Sequence, residues 1–271
     1  MLAAPIASLL ILQAATIPPL MEPIRLPTTQ QPVPLEQDRL AACQTQALRD
    51  PSAAILTASE WEGQATGPER SFPRQCLGHA YVSLLRWDAA ERAFLAARTD
   101  RLDAEPLSRA RLAAMAGNAA LADGRFAAAL DDFNLASSDA QAGGNVMLGG
   151  EIAADRARAM VGLSRLQDAA TALELARRDA PQLAAAWLLS ATLARRMNDL
   201  PAAQGYIETA AALAPNDPAV GLEGGVIAAL AGRDDAARKS WQSVLATAPD
   251  SAEAATAKDY LAQLDEAPPQ P

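Results

Sequence analysis

The sequence predicts an all-α solenoid of antiparallel helix pairs, closed by a capping helix at its C-terminal end. Three observations carry that prediction. Alanine makes up about a quarter of the 271 residues, whereas aromatics are only 4%. Ala, Leu, Arg, Glu and Gln favour helices, and the β-branched and aromatic residues that suit strands are scarce. Pro181, Pro215 and Pro249 recur at steps of 34 residues, each closing an alanine-rich helical run. Gly78, Arg86, Trp87, Ala90, Phe94 and Ala97 return 39 residues later as Gly117, Arg125, Phe126, Ala129, Phe133 and Ala136. A fixed period of this length marks stacked repeats, because one such unit cannot bury its apolar face alone.

Charge and composition exclude other classes. The net charge is −9 and the only lysines are Lys239 and Lys258, so the clustered basic surface that nucleic acid requires is missing. Two cysteines in so long a chain exclude a disulfide-dense miniprotein. The apolar half of the composition excludes wholesale disorder.

Taken in order, residues 1–17 read as a signal peptide. The apolar core from Ala3 to Leu12 is too short to span a bilayer, which needs about 20 residues. Small residues at Ala14 and Ala15 offer a cleavage site, although no Lys or Arg precedes Arg25. The expected location is the bacterial periplasm; the alternatives are an inner-membrane anchor, if this segment is retained, and a cytoplasmic chain. Residues 18–35 form a linker in which Pro18, Pro19, Pro23, Pro27, Pro32 and Pro34 impose an extended course. Residues 36–70 read as an N-terminal helix pair, 36–49 and 52–62, broken at Asp50-Pro51 and followed by a loop over 62–73. Residues 71–250 hold five repeats, 251–266 the capping helix and 267–271 a tail. A flexible insertion is expected over 137–150, where glycines cluster at Gly143, Gly144, Gly149 and Gly150. The turns inside the hairpins are marked by Asp123-Gly124-Arg125 and by Gly232-Arg233-Asp234-Asp235. Small residues such as Gly78 and Ala90 permit close helix approach, and Phe94 and Phe133 fill the space between successive hairpins.

Cys43 and Cys76 both fall in helical runs. Two readings stand: buried free thiols, or a disulfide if the chain is exported. Their spacing fits no zinc site, since CxxC is missing and His79 is the only histidine.

The spacing resembles the tetratricopeptide repeat, a 34-residue helix–turn–helix unit. The first unit, from near Ser71, matches its pattern at Leu77, Gly78, Tyr81, Ala90, Phe94 and Ala97. The second, near Ala110, matches at Gly117, Ala129, Phe133 and Ala136; the third, near Gly150, at Ala169, Ala176 and Pro181. The fourth, near Ala184, matches at Trp187, Ala191, Ala203, Ala210 and Pro215; the fifth, near Pro218, at Gly225, Ala237, Trp241 and Pro249.

The resemblance implies a right-handed superhelix with a concave groove that takes a peptide or helix of another protein. Carried over position by position, the groove residues are Gln75 and His79; Arg111 and Asn118; Glu151, Asp155 and Arg158; Leu188, Thr192 and Arg195. Val82, Leu121, Leu222 and Val226 extend the same face. Family members that clamp acidic C-terminal tails use lysines there, and none is present, so that clamp is not expected. The N-terminal pair ahead of the array reads as a degenerate repeat, which a Cys43–Cys76 disulfide would pin to the first unit. A membrane-tethered assembly subunit and a self-associating, homo-oligomeric module are the alternatives.

No catalytic constellation is legible. GxSxG is missing, and the glycine cluster lacks the Lys and Ser/Thr of a phosphate loop. A lone His79 reads as structural. Asp131-Asp132 and Asp234-Asp235 read as caps and solvated faces, and Arg177-Arg178 and Arg195-Arg196 as partners of Asp179 and Asp199. The expectation is therefore a non-enzymatic scaffold with no cofactor and no metal.

Overall fold

The computed structural model describes residues 35–266, and the readings for the signal peptide, most of the linker and the tail lie outside them. The described chain is helical with no strand, and its helices run as consecutive antiparallel pairs. The N-terminal pair is α1 (Leu35–Arg49) and α2 (Pro51–Gln64), followed by a single 3-10 turn at Gly67–Arg70. Five hairpins follow: α3 (Ser71–Ser83) with α4 (Trp87–Asp100), α5 (Pro106–Ala122) with α6 (Phe126–Ala142), and α7 (Val146–Gly162) with α8 (Leu166–Asp179). The last two are α9 (Ala184–Arg196) with α10 (Leu200–Leu213), and α11 (Pro218–Leu230) with α12 (Asp234–Thr247). The helix α13 (Ala252–Glu266) closes the array. Its Ala254 and Ala257 are buried against Trp241 and Val244, the surface that a further repeat would otherwise cover.

Each hairpin turns by one device. The N–H of Arg86, Arg125, Arg165, Asp199 and Arg233 donates to the carbonyl five residues earlier (Tyr81, Ala120, Met160, Ala194 and Ala228). That bond closes a Schellman turn, which needs a left-handed residue just before its donor. Gly124 and Gly232 supply it at φ +72° and +69°; Leu85, Ser164 and Asn198 take the same conformation at +56°, +60° and +62°. Between hairpins, Pro181, Pro215 and Pro249 stop the preceding helices. The residue before each, Ala180, Ala214 or Ala248, is pushed out of helical geometry to φ near −130° to −142°. The prolines do not start the next helices. Ala184, Pro218 and Ala252 do, and Asp217 and Ser251 cap the latter two through Ala219 N at 2.9 Å and Ala254 N at 3.0 Å.

The insertion expected over 137–150 does not exist as a loop. Only 143–145 turn, again with a left-handed glycine, Gly144 at φ +65°. The extra residues lengthen the helices: α5, α6 and α7 each run 17 residues, against 13 for α3 and 14 for α4. The second and third units accordingly begin at Pro106 and Val146, four residues ahead of Ala110 and Gly150. Adding a turn of helix satisfies every new backbone amide internally, which a glycine-rich loop cannot do.

The core is a file of matched pairs. Phe94 sits over Gly78, Phe133 over Gly117 and Trp241 over Gly225, in each case within one hairpin. The large residue is always 16 positions after the small one, and in the two hairpins between them the same positions hold Ala157 with Leu173 and Ala191 with Ile207. Glycine faces an aromatic ring and alanine faces an aliphatic side chain, so volume stays nearly constant from repeat to repeat. The aromatic rings therefore fill their own hairpins first; Phe94 then touches Leu112 and Ala116 of the next.

Cys43 and Cys76 form a disulfide between α1 and α3, with Cα atoms 6.0 Å apart. Around it pack Ala58, Trp61 and Leu77. Arg74 adds a polar tie by donating to Glu62 at 2.7 Å and to Asp100 at 2.8 Å, joining α2, α3 and α4.

Asp131-Asp132 departs from the expected solvated face. Asp131 is exposed, but Asp132 is buried against Glu91 of α4, itself buried and paired with Arg125. One Asp132 oxygen has no partner while the group is a carboxylate; protonated, it donates to Glu91. Burial first, then the negative charge of Glu91, push the Asp132 carboxyl up to about 7; Arg125 opposes the shift and Asp131 adds to it. The folded chain thus holds a proton that the unfolded chain releases near pH 4. This group's contribution to stability is full below that pH and is lost as pH rises through about 7. Asp132→Asn is expected to flatten that limb of the stability–pH curve measured by chemical denaturation between pH 4 and 8. An unchanged slope would show that the pair carries no shared proton.

Candidate functional site

The first helices of the hairpins (α3, α5, α7, α9 and α11) carry the residues that the register places in a groove. Their small core-facing residues, from Gly78 to Gly225, turn one stripe of each helix inward, and the residues of that register lie on the adjacent stripe.

Gln75 and Arg111 lie together. They line a cavity of about 140 Å³ with Arg101 and Ser108, formed where α3, the link after α4 and α5 meet. Arg101 stacks over Phe72 at 4.2 Å and donates to Glu105 at 3.2 Å, whereas Arg111 is exposed. In the centre, Asn118 of α5 donates to Asp155 of α7 at 3.1 Å, and Arg158 reaches the other oxygen of the same carboxylate at 3.2 Å. Arg158 and Thr192 border a cavity of about 170 Å³ between α7 and α9, with Val161 and Leu189 as its apolar wall and Arg196 beside them. Further along, Arg195 of α9 grips Glu223 of α11 with two bonds, at 2.7 and 3.2 Å. A forked guanidinium–carboxylate pair of this kind fixes both side chains in one plane. The Arg195 partner is therefore Glu223 and not Asp199, which instead caps α10 through Ala202 N at 3.1 Å. Of the other doublet, Arg178 pairs with Asp179 at 2.7 Å as expected, whereas Arg177 donates to Ser190 and lies over the Tyr206 ring at 4.3 Å.

Three residues sit apart from these contacts. His79 is half-buried with its ring edge-on to Phe94 at 5.3 Å, and burial pushes its imidazole below the ordinary range. Its Nε2 is buried without a hydrogen-bond partner among the described residues. Leu188 packs into the cluster around Ile207, and Glu151 is exposed. Val82 and Leu121 join the clusters beneath α3–α5 and α5–α7; Leu222 and Val226 pack toward α12 and α13.

Arg101, Ser108, Arg196 and Glu223 were missed by the register. Their only sequence signal is a distance of about one repeat from a residue already placed, 28 positions for Arg195 and Glu223. Among the described residues, no group of three or more His, Cys, Asp or Glu could hold a metal ion, and no helix is long and apolar enough to cross a membrane.

Helix pairs of this length, stacked in file with small residues against large ones, form an α-solenoid with the fold seen in tetratricopeptide-repeat structures. Solved structures agree on the fold. The chain is similar to TTC0263, a thermophilic TPR protein of Thermus thermophilus, at 20% identity over 72% of this chain and 98% of that one, with a TM-score of 0.56. It is similar to PilF of Pseudomonas aeruginosa at 14% identity over 84% of this chain and 99% of that one, with a TM-score of 0.62. BtubC of P. vanneervenii aligns at 17% identity over 88% of this chain and 95% of that one, with a TM-score of 0.57. No family model and no curated protein sequence matches the chain.

Proposed function

We propose that the chain is a non-enzymatic scaffold whose groove binds a peptide or a helix of another protein. The observation that carries this reading is the cavity between α7 and α9. An apolar wall of Val161 and Leu189 there lies beside Arg158, Thr192 and Arg196, which can orient a backbone or an acidic side chain. Two groove pairs, Asn118 with Asp155 and Arg195 with Glu223, are held by cross-repeat bonds, so that part of the surface is set before a guest arrives and loses less ordering entropy on binding. A second reading, self-association, competes for the same face.

The chain is further proposed to be exported to the periplasm. The Cys43–Cys76 disulfide supports this, because such bonds persist in oxidising compartments. So does the short apolar run at the N-terminus, which fits a signal peptide.

Affinity capture from the native host, with crosslinking, tests the groove. Arg158→Glu is expected to reduce partner recovery at least tenfold while circular dichroism stays unchanged. Equal recovery by both proteins would remove the groove as the binding face. Sedimentation across a concentration series separates a guest protein from a second copy of the chain.

A further inference from the structure

A cavity larger than those along the groove register lies elsewhere. It holds about 480 Å³ between α7 and α8, and Arg156, Arg165 and Arg178 border it. Arg156 comes two residues before Arg158, which puts it about 160° round the helix from that groove arginine at 3.6 residues per turn. The two side chains therefore serve opposite faces of α7.

Three arginines meet three carboxylates here, Asp168, Glu174 and Asp179, but the pairing leaves one arginine out. Arg165 is paired with Asp168 at 2.7 Å and Arg178 with Asp179 at 2.7 Å. Arg156 has no ion-pair partner among the described residues, and its Nε is buried with nothing to accept its hydrogen. Burial, and after it the positive charge of Arg165, lower its basicity. Glu174 also borders the space, but it is exposed and acts on Arg178. A guanidinium has five donors and no acceptor, and leaving one partly buried and unpaired is costly. Met160, Ala172 and Leu175 give the cavity an apolar wall, and its volume falls in the range of small-ligand sites.

We infer that this cavity is a binding site for an anionic group, a carboxylate or a phosphate, held by Arg156 with Arg165 and Arg178 at the rim and an apolar body lying on Leu175. The site is separate from the groove and does not depend on the groove having a guest.

Thermal unfolding of the full chain tests it at constant ionic strength, with sodium chloride as the reference and inorganic phosphate, glutarate or a hexaglutamate peptide as probes. A concentration-dependent rise in Tm is expected with at least one probe. A rise with phosphate or glutarate alone assigns a free small anion. A rise with hexaglutamate that phosphate competes away assigns an acidic side chain of a partner. Arg156→Met is expected to weaken the apparent affinity at least tenfold, and Arg92→Gln, at an exposed arginine of α4, to leave it unchanged. Without any probe, Arg156→Met is expected to unfold at or above the native temperature, because it removes an uncompensated charge. A lower Tm would assign Arg156 to packing and overturn the site. So would an equal rise in Arg156→Met, or no rise with any probe.

Discussion

Reduction of the Cys43–Cys76 bond is expected to release the N-terminal pair, α1 and α2, while α5 to α13 stay folded. A solenoid is held by nearest-neighbour contacts, so its ends open before its centre. The bond closes a separation of 33 residues between the terminal pair and the first hairpin. On the loop-entropy model such a closure contributes roughly 3–4 kcal/mol. The rest of the attachment is packing: Ala47, Ala54, Ala58 and Trp61 are buried against α3, with Trp61 near Phe72 at 6.4 Å and the Arg74 bridge to Glu62 beside them. Cys76→Ser is expected to raise amide exchange in α1 and α2 by two orders of magnitude or more, with exchange in α7 unchanged. Hydrogen-exchange mass spectrometry reads both at once. Equal protection of α1 in the oxidised and reduced chains would mean that packing alone secures the end.

The small-against-large pairs carry the second large effect. A Cβ on Gly117 would stand 2.7 Å from the Phe133 ring, and Phe133 is fully buried. Gly117→Ala gains helix propensity of about 1 kcal/mol but must displace that ring, an overpacking cost of about 1–3 kcal/mol. A net loss of about 2 kcal/mol is expected, at the upper end of that cost. Phe133→Leu should lose about 1–2 kcal/mol through the space it leaves. The double variant installs the combination that the next hairpin already uses, Ala157 with Leu173. It is therefore expected to recover at least about 1 kcal/mol relative to the sum of the single losses, because the new methyl enters the space the ring vacates. Urea denaturation of the four proteins completes the cycle. Strict additivity would show that the two positions do not compensate each other.

How much of this was legible beforehand depends on the range of the interaction. Helix starts at Ala184, Pro218 and Ala252 could be read from the chain because they rest on local signals: a proline, a capping side chain, a stripe of alanines. The start at Ser71 falls inside the loop expected over 62–73, which the structure replaces with the end of α2, a 3-10 turn and the first turn of α3. The same holds for the turns at Gly124 and Gly232, where a left-handed residue is needed and glycine supplies it cheaply. The turns at Leu85, Ser164 and Asn198 carry no such mark, and there the stacking of the flanking helices imposes the conformation. The glycine cluster at 143–150 misled for a related reason. Glycine reads as a loop residue, yet Gly150 sits inside α7, where the absence of a side chain leaves room for Ala180, whose Cβ would lie 2.8 Å from a Cβ at that position.

The site divides along the same line. The groove register follows from the repeat period, which brings Gln75 near Arg111 and Arg158 near Thr192. The choice of partners does not follow from it. Arg195 turns to Glu223, Asp132 is buried against Glu91, and Arg156 is left without an acceptor.

By itself, the sequence determined that this protein is a file of helix pairs with a 34-residue step, a terminal cap and a repeating face, since these rest on periodicity and local backbone preference. The tertiary structure alone decided which charges meet, which carboxylate keeps its proton and which arginine goes unpaired. Those outcomes depend on the rotation and offset between neighbouring hairpins, set by the volumes packed between them, and no local pattern in the chain encodes that quantity.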